Sequence, residues 1–327
     1  MNVTKFTLVL DHKFDEALFT LCKREVLSKK MTIIDFFLST TFDTTLFAIL
    51  LGLISGSFVN VVAYRLPLIV QYRWSTTKSI EPEGADKPEH SSDAYLRRLS
   101  LHLPRSHCPA CKETIRAWEN IPLLSYIFLK GKCSKCSVSI PKQYPVVELI
   151  SAALALFIGL RYSINFQFLT LLFFALTLLI LTIIDMKHLI LPDELTLPLI
   201  WLGLLVSLTN SGFDVSPSES ILGAALGYLS LWIFYWSFRL ITQKEGIGFG
   251  DFKLLAALGA WLGWQSLLPI ITLASLSGAI YGTVSRIRSH EKASTPIPFG
   301  PFLATAGFTM AFWGSEIMSF YIETING

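Results

Sequence analysis

Two aspartates and four cysteines carry the residue types and spacings that could do chemistry in this sequence. Asp185 directly follows the apolar run LTLLFFALTLLILTII and precedes MKHLILPD, and Asp251 closes GIGFGD ahead of FKLLAALGAWLG. Two carboxylates held close together cannot both ionise easily, so one keeps a proton and the pair can serve as base and acid at once. One oxygen would take a proton from water while the other polarises a carbonyl, which is the chemistry of peptide hydrolysis. The structural alternative is different for each residue. Asp251 before a helix could be an N-cap. Asp185 ends an apolar helix, where the dipole favours Lys or His, so its retention against local preference points to function.

Neighbouring groups are open to structural and chemical readings of the same kind. Asp193 follows Pro192 and opens an apolar segment, so it reads as an N-cap with Glu194 in the first turn. Gly246, Gly248 and Gly250 let the chain approach a substrate backbone closely or take positive φ. Without a preceding strand or a βαβ unit, they do not make a dinucleotide fingerprint. No Ser/His/Asp set or HExxH motif offers a competing hydrolytic site.

The cysteines form Cys108-x-x-Cys111 and Cys133-x-x-Cys136. Paired knuckles of this kind suit tetrahedral zinc, since each offers two thiolates from one tight turn. A redox pair and free thiols are the alternatives. Four thiolates would leave no open coordination position, so the metal's role would be to hold the loop together. His102 and His107 are then bystanders, and Cys22 carries no signal.

These residues must be positioned by membrane helices. The chain has 327 residues, 52% hydrophobic and 16% charged, against about 25% charged in a soluble domain. Apolar segments fall near 44–64, 147–162, 166–184, 194–210 and 219–240. The stretch 252–287 is long enough for two, breaking near Gln265, and a last segment covers 299–321. The expected fold is an all-α polytopic membrane protein of about eight transmembrane helices, with a zinc-stabilised cytoplasmic loop after the first. Residues 65–145 hold 13 of the 27 Lys and Arg residues, which places them in the cytoplasm. Threading the spans from there puts Lys187, Arg239, Lys244, Lys253, Arg286, Arg288 and Lys292 on the same side, and both aspartates at that membrane boundary. Glu148, within YPVVELI, is costly if central in the bilayer, and Arg65 reads as a positive-inside anchor. Trp261 and Trp264 suit helix packing or an interfacial belt.

The expected division is an N-terminal extension (1–43), a first transmembrane helix (44–64), a cytoplasmic zinc-binding domain (65–145) and a multi-helix peptidase domain (146–327). Residues 1–30 carry Lys5, Lys13, Lys23, Arg24, Lys29 and Lys30 yet fall outside by this threading, so Met31 is expected to be the physiological start. Recovery of native peptides from 1–30 would overturn that expectation.

From Gly52 to Ala306 the sequence resembles the type IV prepilin peptidase family, whose members are bifunctional leader peptidases and N-methyltransferases. The resemblance rests on GSFVNVVAYRLP (56–67), PRSHCPACKETIRAWENIPLLSYIFLKGKCSKC (104–136), PKQYPVVELI (141–150), IDMKHLILPDELTLP (184–198), GIGFGDFKLLAALGAWLG (246–263) and IPFGPFLA (297–304), in family order. It implies a membrane aspartic peptidase of the GxGD type with Asp185 and Asp251 catalytic, and zinc on Cys108, Cys111, Cys133 and Cys136. It further implies cleavage of the basic leader from type IV prepilins or pseudopilins at the cytoplasmic face of the bacterial inner membrane. N-methylation of the new N-terminal residue with S-adenosylmethionine would follow. That second activity is inherited from the resemblance alone. The expected partners are such precursors and membrane lipid, with no nucleic acid, in pilus assembly or type II secretion. The polar stretch 71–100 and the first 30 residues depart from the family pattern without touching the aspartates or cysteines. A peptidase without methyl transfer, an ion-coupled transporter with midplane carboxylates and an inactive zinc-loop scaffold are the rival readings.

Overall fold

The computed structural model describes residues 43–76, 91–209, 212–243, 248–289 and 297–326. Met31, Cys22, Lys244, Gly246 and Lys292 lie outside the described residues. Those described form helices α1 (Asp43–Thr76), α2 (Ser91–Arg98), α3 (Leu124–Phe128), α4 (Gln143–Tyr162), α5 (Phe166–His188), α6 (Asp193–Ser207), α7 (Pro217–Thr242), α8 (Phe249–Leu262), α9 (Leu267–Ser289) and α10 (Gly300–Asn326). Among the described residues there is no strand, only two isolated bridges inside the cysteine loop.

Each apolar segment read from the sequence carries a helix, and five helices are long and apolar enough to cross a membrane: α1, α4, α5, α7 and α9. Large apolar side chains such as Leu46, Phe47, Leu50, Ile54 and Phe58 stand exposed along α1, as a lipid-facing stripe requires. The chain is thus a multi-pass membrane protein. At 34 residues, α1 continues well past the expected end at 64. At about 1.5 Å per residue it is longer than the roughly 30 Å hydrocarbon core, so its last turns stand clear of it.

Helix α8 has only 14 residues, about 21 Å of rise, and is sheathed by other helices. Every residue from Leu254 to Leu262 is buried. Small residues let α7 come in close: a Cβ on Gly223 would lie 2.1 Å from the Gly259 carbonyl oxygen, and one on Gly227 would lie 2.7 Å from that of Leu255. Ser220 donates to the Ala260 carbonyl at 2.6 Å, and the Trp261 indole donates to Leu199 of α6 at 2.9 Å. Trp261 is therefore a packing residue.

The breaks follow local chemistry. Asn165 caps α5 through the Phe168 N–H. Ser216, Pro217 and Glu219 form a capping box at the start of α7. Gly263, at φ 77°, separates α8 from α9 near Gln265, as expected. Helix α10 kinks at Trp313, which stacks on Phe157 of α4.

Candidate active site and metal centre

The end of α5 and the start of α8 place Asp185 and Asp251 at one end of the bundle. This is also the end where the cysteine loop joins: the Lys187 ammonium meets Gln143, the first residue of α4, and Arg73 of α1 pairs with Glu194 of α6 at 3.5 Å. Both aspartates are buried, 5% and 7% exposed, and each lies within electrostatic reach of the other.

Their surroundings differ. Asp185 Oδ2 accepts the backbone N–H of Gly300 at 2.9 Å. Gly300 opens α10, so the carboxylate set at the unfavourable end of its own helix rests on the positive end of another. A Cβ on Gly300 would lie 2.7 Å from that oxygen, so the position has no room for a side chain. Asp251, in the first turn of α8, accepts the Gly248 N–H on Oδ2 at 3.3 Å. Its Oδ1 is buried with no hydrogen-bond partner among the described residues, an acceptor free for a proton or a water. Leu191, in the α5–α6 connection, wedges the two sides together. A Cβ on Gly250 would lie 2.6 Å from its Cβ, and one on Gly300 would lie 3.2 Å from its Cδ1.

Asp193 differs from expectation. Pro192, in extended backbone, takes the N-cap position, and Asp193 is the first helical residue. Its carboxylate pairs with Lys253 at 2.6 Å, tying α6 to α8. Arg65 also differs. It is 7% exposed and donates to the carbonyls of Ser100 at 2.9 Å, Leu101 at 3.4 Å and Pro104 at 2.7 Å. It gathers the start of the cysteine loop onto α1 and does not reach for the interface. Glu148 accepts the Leu123 N–H at 2.8 Å, and Leu123 has φ 59°. Its carboxylate thus ties the loop to α4.

The four cysteine sulfurs all lie within 4.8 Å of one another, and those of Cys108 and Cys136 are 3.7 Å apart. A tetrahedron with zinc–sulfur arms of about 2.3 Å has edges of about 3.8 Å, so the thiols fit the ion. The two knuckles are built alike. Cys108 N–H bonds Glu113 O and Lys112 N–H bonds Cys108 O; Cys133 N–H bonds Val138 O and Ser137 N–H bonds Cys133 O. Lys112 and Ser137 both take φ 58°. The N–H groups of Cys111 and Ala110 bring the Cys108 thiol down to about 6. The Glu113 N–H favours the Cys111 thiolate, but burial and the neighbouring thiols outweigh it and raise that group to about 11. Four crowded thiols of this kind need a cation before all can ionise together. His107 turns its ring to the Arg105 carbonyl and Tyr95, apart from the cluster.

Sequence comparison agrees with this architecture. Residues 50–162 match the Bacterial Peptidase A24 N-terminal domain, and residues 172–283 match the Type IV leader peptidase family. A prepilin leader peptidase/N-methyltransferase of Stutzerimonas stutzeri is 44% identical over 293 residues, covering 90% of this chain and 99% of that protein. One from Pseudomonas aeruginosa is also 44% identical, over 90% of this chain and 98% of its own length. One from Aeromonas salmonicida is 46% identical over 277 residues, 84% of this chain and 93% of its own. No solved structure matches.

Proposed function

Because the chain belongs to the type IV leader peptidase family, we propose that it removes the basic leader peptide from type IV prepilins and pseudopilins at the cytoplasmic membrane face and then N-methylates the new N-terminal residue. The observation that carries the peptidase half is the convergence of Asp185 and Asp251, buried together at the end of the bundle that also bears the basic cysteine loop. The Lys and Arg content of that loop supports a cytoplasmic placement of this end. The short helices α6 and α8, with α10, complete an eight-helix bundle. Of these, α8 is enclosed by protein from Leu254 to Leu262, so its short length does not set it against lipid.

The two carboxyl groups share one proton. The ionised one takes a proton from a water as its oxygen adds to the scissile carbonyl, and the protonated one donates to the carbonyl oxygen. The tetrahedral species then collapses as the C–N bond breaks and the leaving amine takes a proton. Helix N-termini behind both carboxylates, α10 for Asp185 and α8 for Asp251, steady the negative charge. For the second activity S-adenosylmethionine would supply the methyl group, the freed amine giving up a proton as it accepts it. Cys108, Cys111, Cys133 and Cys136 would hold a zinc ion with no open position, making it a clamp on the loop.

The test is cleavage of a prepilin by the detergent-solubilised full chain and by Asp185→Asn and Asp251→Asn. Both variants are expected to lose cleavage while keeping bound zinc and their thermal transition. Cleavage surviving in either would remove that residue from the pair.

A further inference from the structure

The cysteine loop carries a set of apolar side chains that its own fold leaves uncovered. Trp118 is 62% exposed, Leu124 52%, Ile127 63% and Phe128 81%. Leu124, Ile127 and Phe128 stand at i, i+3 and i+4 of α3 and so share one face of that short helix. The other face is committed. The Gly131 N–H bonds the Tyr126 carbonyl at 2.8 Å, and a Cβ on Gly131 would meet the Tyr126 hydroxyl at 2.9 Å. Gly131 stands two residues before Cys133, so the thiol cluster helps fix which way the apolar face points.

The height of this face along the bundle is also fixed. The Leu123 N–H, at the start of α3, is bonded to Glu148. Glu148 lies five residues into α4, a helix of membrane-spanning length and composition. That is about 8 Å along the axis, and the side chain leans back towards the helix N-terminus. Leu123 is therefore level with the first turns of α4, where Val146, Leu149 and Ile150 are themselves exposed. The Leu123–Glu148 bond thus sets α3 level with the first turns of a helix long and apolar enough to cross a membrane.

Charge selects the occupant. Between 105 and 135 the loop exposes Arg105, Lys112, Arg116, Lys130, Lys132 and Lys135, against exposed Glu113 and half-buried Glu119. Of these two carboxylates, Glu119 already accepts the Arg116 N–H. Apolar side chains flanked by Lys and Arg match the acyl boundary and anionic headgroups of a bilayer. They are a poor match for a peptide with a basic leader.

We infer that the metal-binding loop is a membrane-surface element: the Leu124, Ile127 and Phe128 face of α3 inserts into the bilayer interface beside α4, and the loop's cations contact anionic lipid headgroups. The four-thiol cluster orients this face, and the Leu123–Glu148 bond sets its depth. The loop is thereby held against the membrane next to the aspartate pair instead of hanging free in the cytoplasm.

Photo-crosslinking tests this. The zinc-loaded full chain with Phe128→p-benzoylphenylalanine is reconstituted in phosphatidylethanolamine/phosphatidylglycerol vesicles, irradiated and analysed by mass spectrometry, with Lys135→p-benzoylphenylalanine as the comparison site. Lipid adducts at position 128 are expected to exceed those at 135 several-fold, with and without added prepilin. Equal lipid yields at the two sites would overturn the proposal. So would capture of prepilin or a second copy of the chain in place of lipid at position 128. If the first variant loses its zinc, Ile127→p-benzoylphenylalanine on the same face gives the same reading.

Discussion

Gly300 holds Asp185 by its backbone. The 2.9 Å hydrogen bond from the first N–H of α10 to the carboxylate explains why an aspartate survives at the C-terminal end of α5. The penalty from its own helix dipole is offset by the N-terminus of another helix, far along the chain.

Gly300→Ala should therefore damage the site with little effect on the fold. The new Cβ would sit 2.7 Å from Asp185 Oδ2 and 3.2 Å from Leu191 Cδ1, so the carboxylate must shift. A displacement of about 1 Å in a catalytic group can cost about 100-fold. The expected outcome is a fall of about 10- to 100-fold in the rate of prepilin cleavage, with the thermal transition in detergent nearly unchanged. A cleavage rate equal to wild type would show that Gly300 does not position Asp185.

The sequence made the aspartates visible because each broke or tested a local rule, and it made the cysteines visible by spacing alone. It also revealed the helices, since apolar runs and caps are local properties. It could not reveal Gly300, Leu191 or the roles of Arg65 and Glu148. Those depend on which helix ends meet, as when the carbonyls of 100–104 close over Arg65. Asp193 departs from its N-cap expectation for a related reason. Pro192 supplies extended backbone for the N-cap position without a side-chain hydrogen bond, leaving the carboxylate free to find Lys253.

Asp193→Asn should separate the pairing aspartate from the proposed catalytic ones. Its bond to Lys253 is partly exposed, and such pairs contribute about 0–1 kcal/mol. Cleavage should stay within a few-fold of wild type, as should that of Lys253→Met. Loss in Asp193→Asn as deep as in Asp251→Asn would place Asp193 in the reacting pair.

The thiol cluster should bind about one zinc ion per chain, measured by metal analysis of the purified full chain. Cys108→Ser should lose it, because the Cys108 thiol is buried and the backbone N–H groups of Cys111 and Ala110 bring it down to about 6, ready to bind as thiolate. Metal binding requires thiolates, so release should proceed as pH falls and reverse as it rises. Zinc content unchanged in the variant would move the metal away from these residues.

Arg65 offers a way to loosen the loop without touching metal or aspartates. Its guanidinium serves three carbonyls from a buried position. Hydrogen bonds to a charged group contribute about 1.5–3 kcal/mol each, and the abandoned carbonyls would be left short of partners. Arg65→Met should therefore expose the segment around Ser100–Pro104 to protease, while Arg65→Lys, which can reach fewer carbonyls, should fall between it and wild type. Zinc should remain bound in both, since the knuckles are closed by their own backbone bonds. Protease resistance equal to wild type in Arg65→Met would mean that other contacts fix the loop to α1. Loss of zinc together with the new cleavage would mean that the knuckles depend on this clamp and fold with it as one unit.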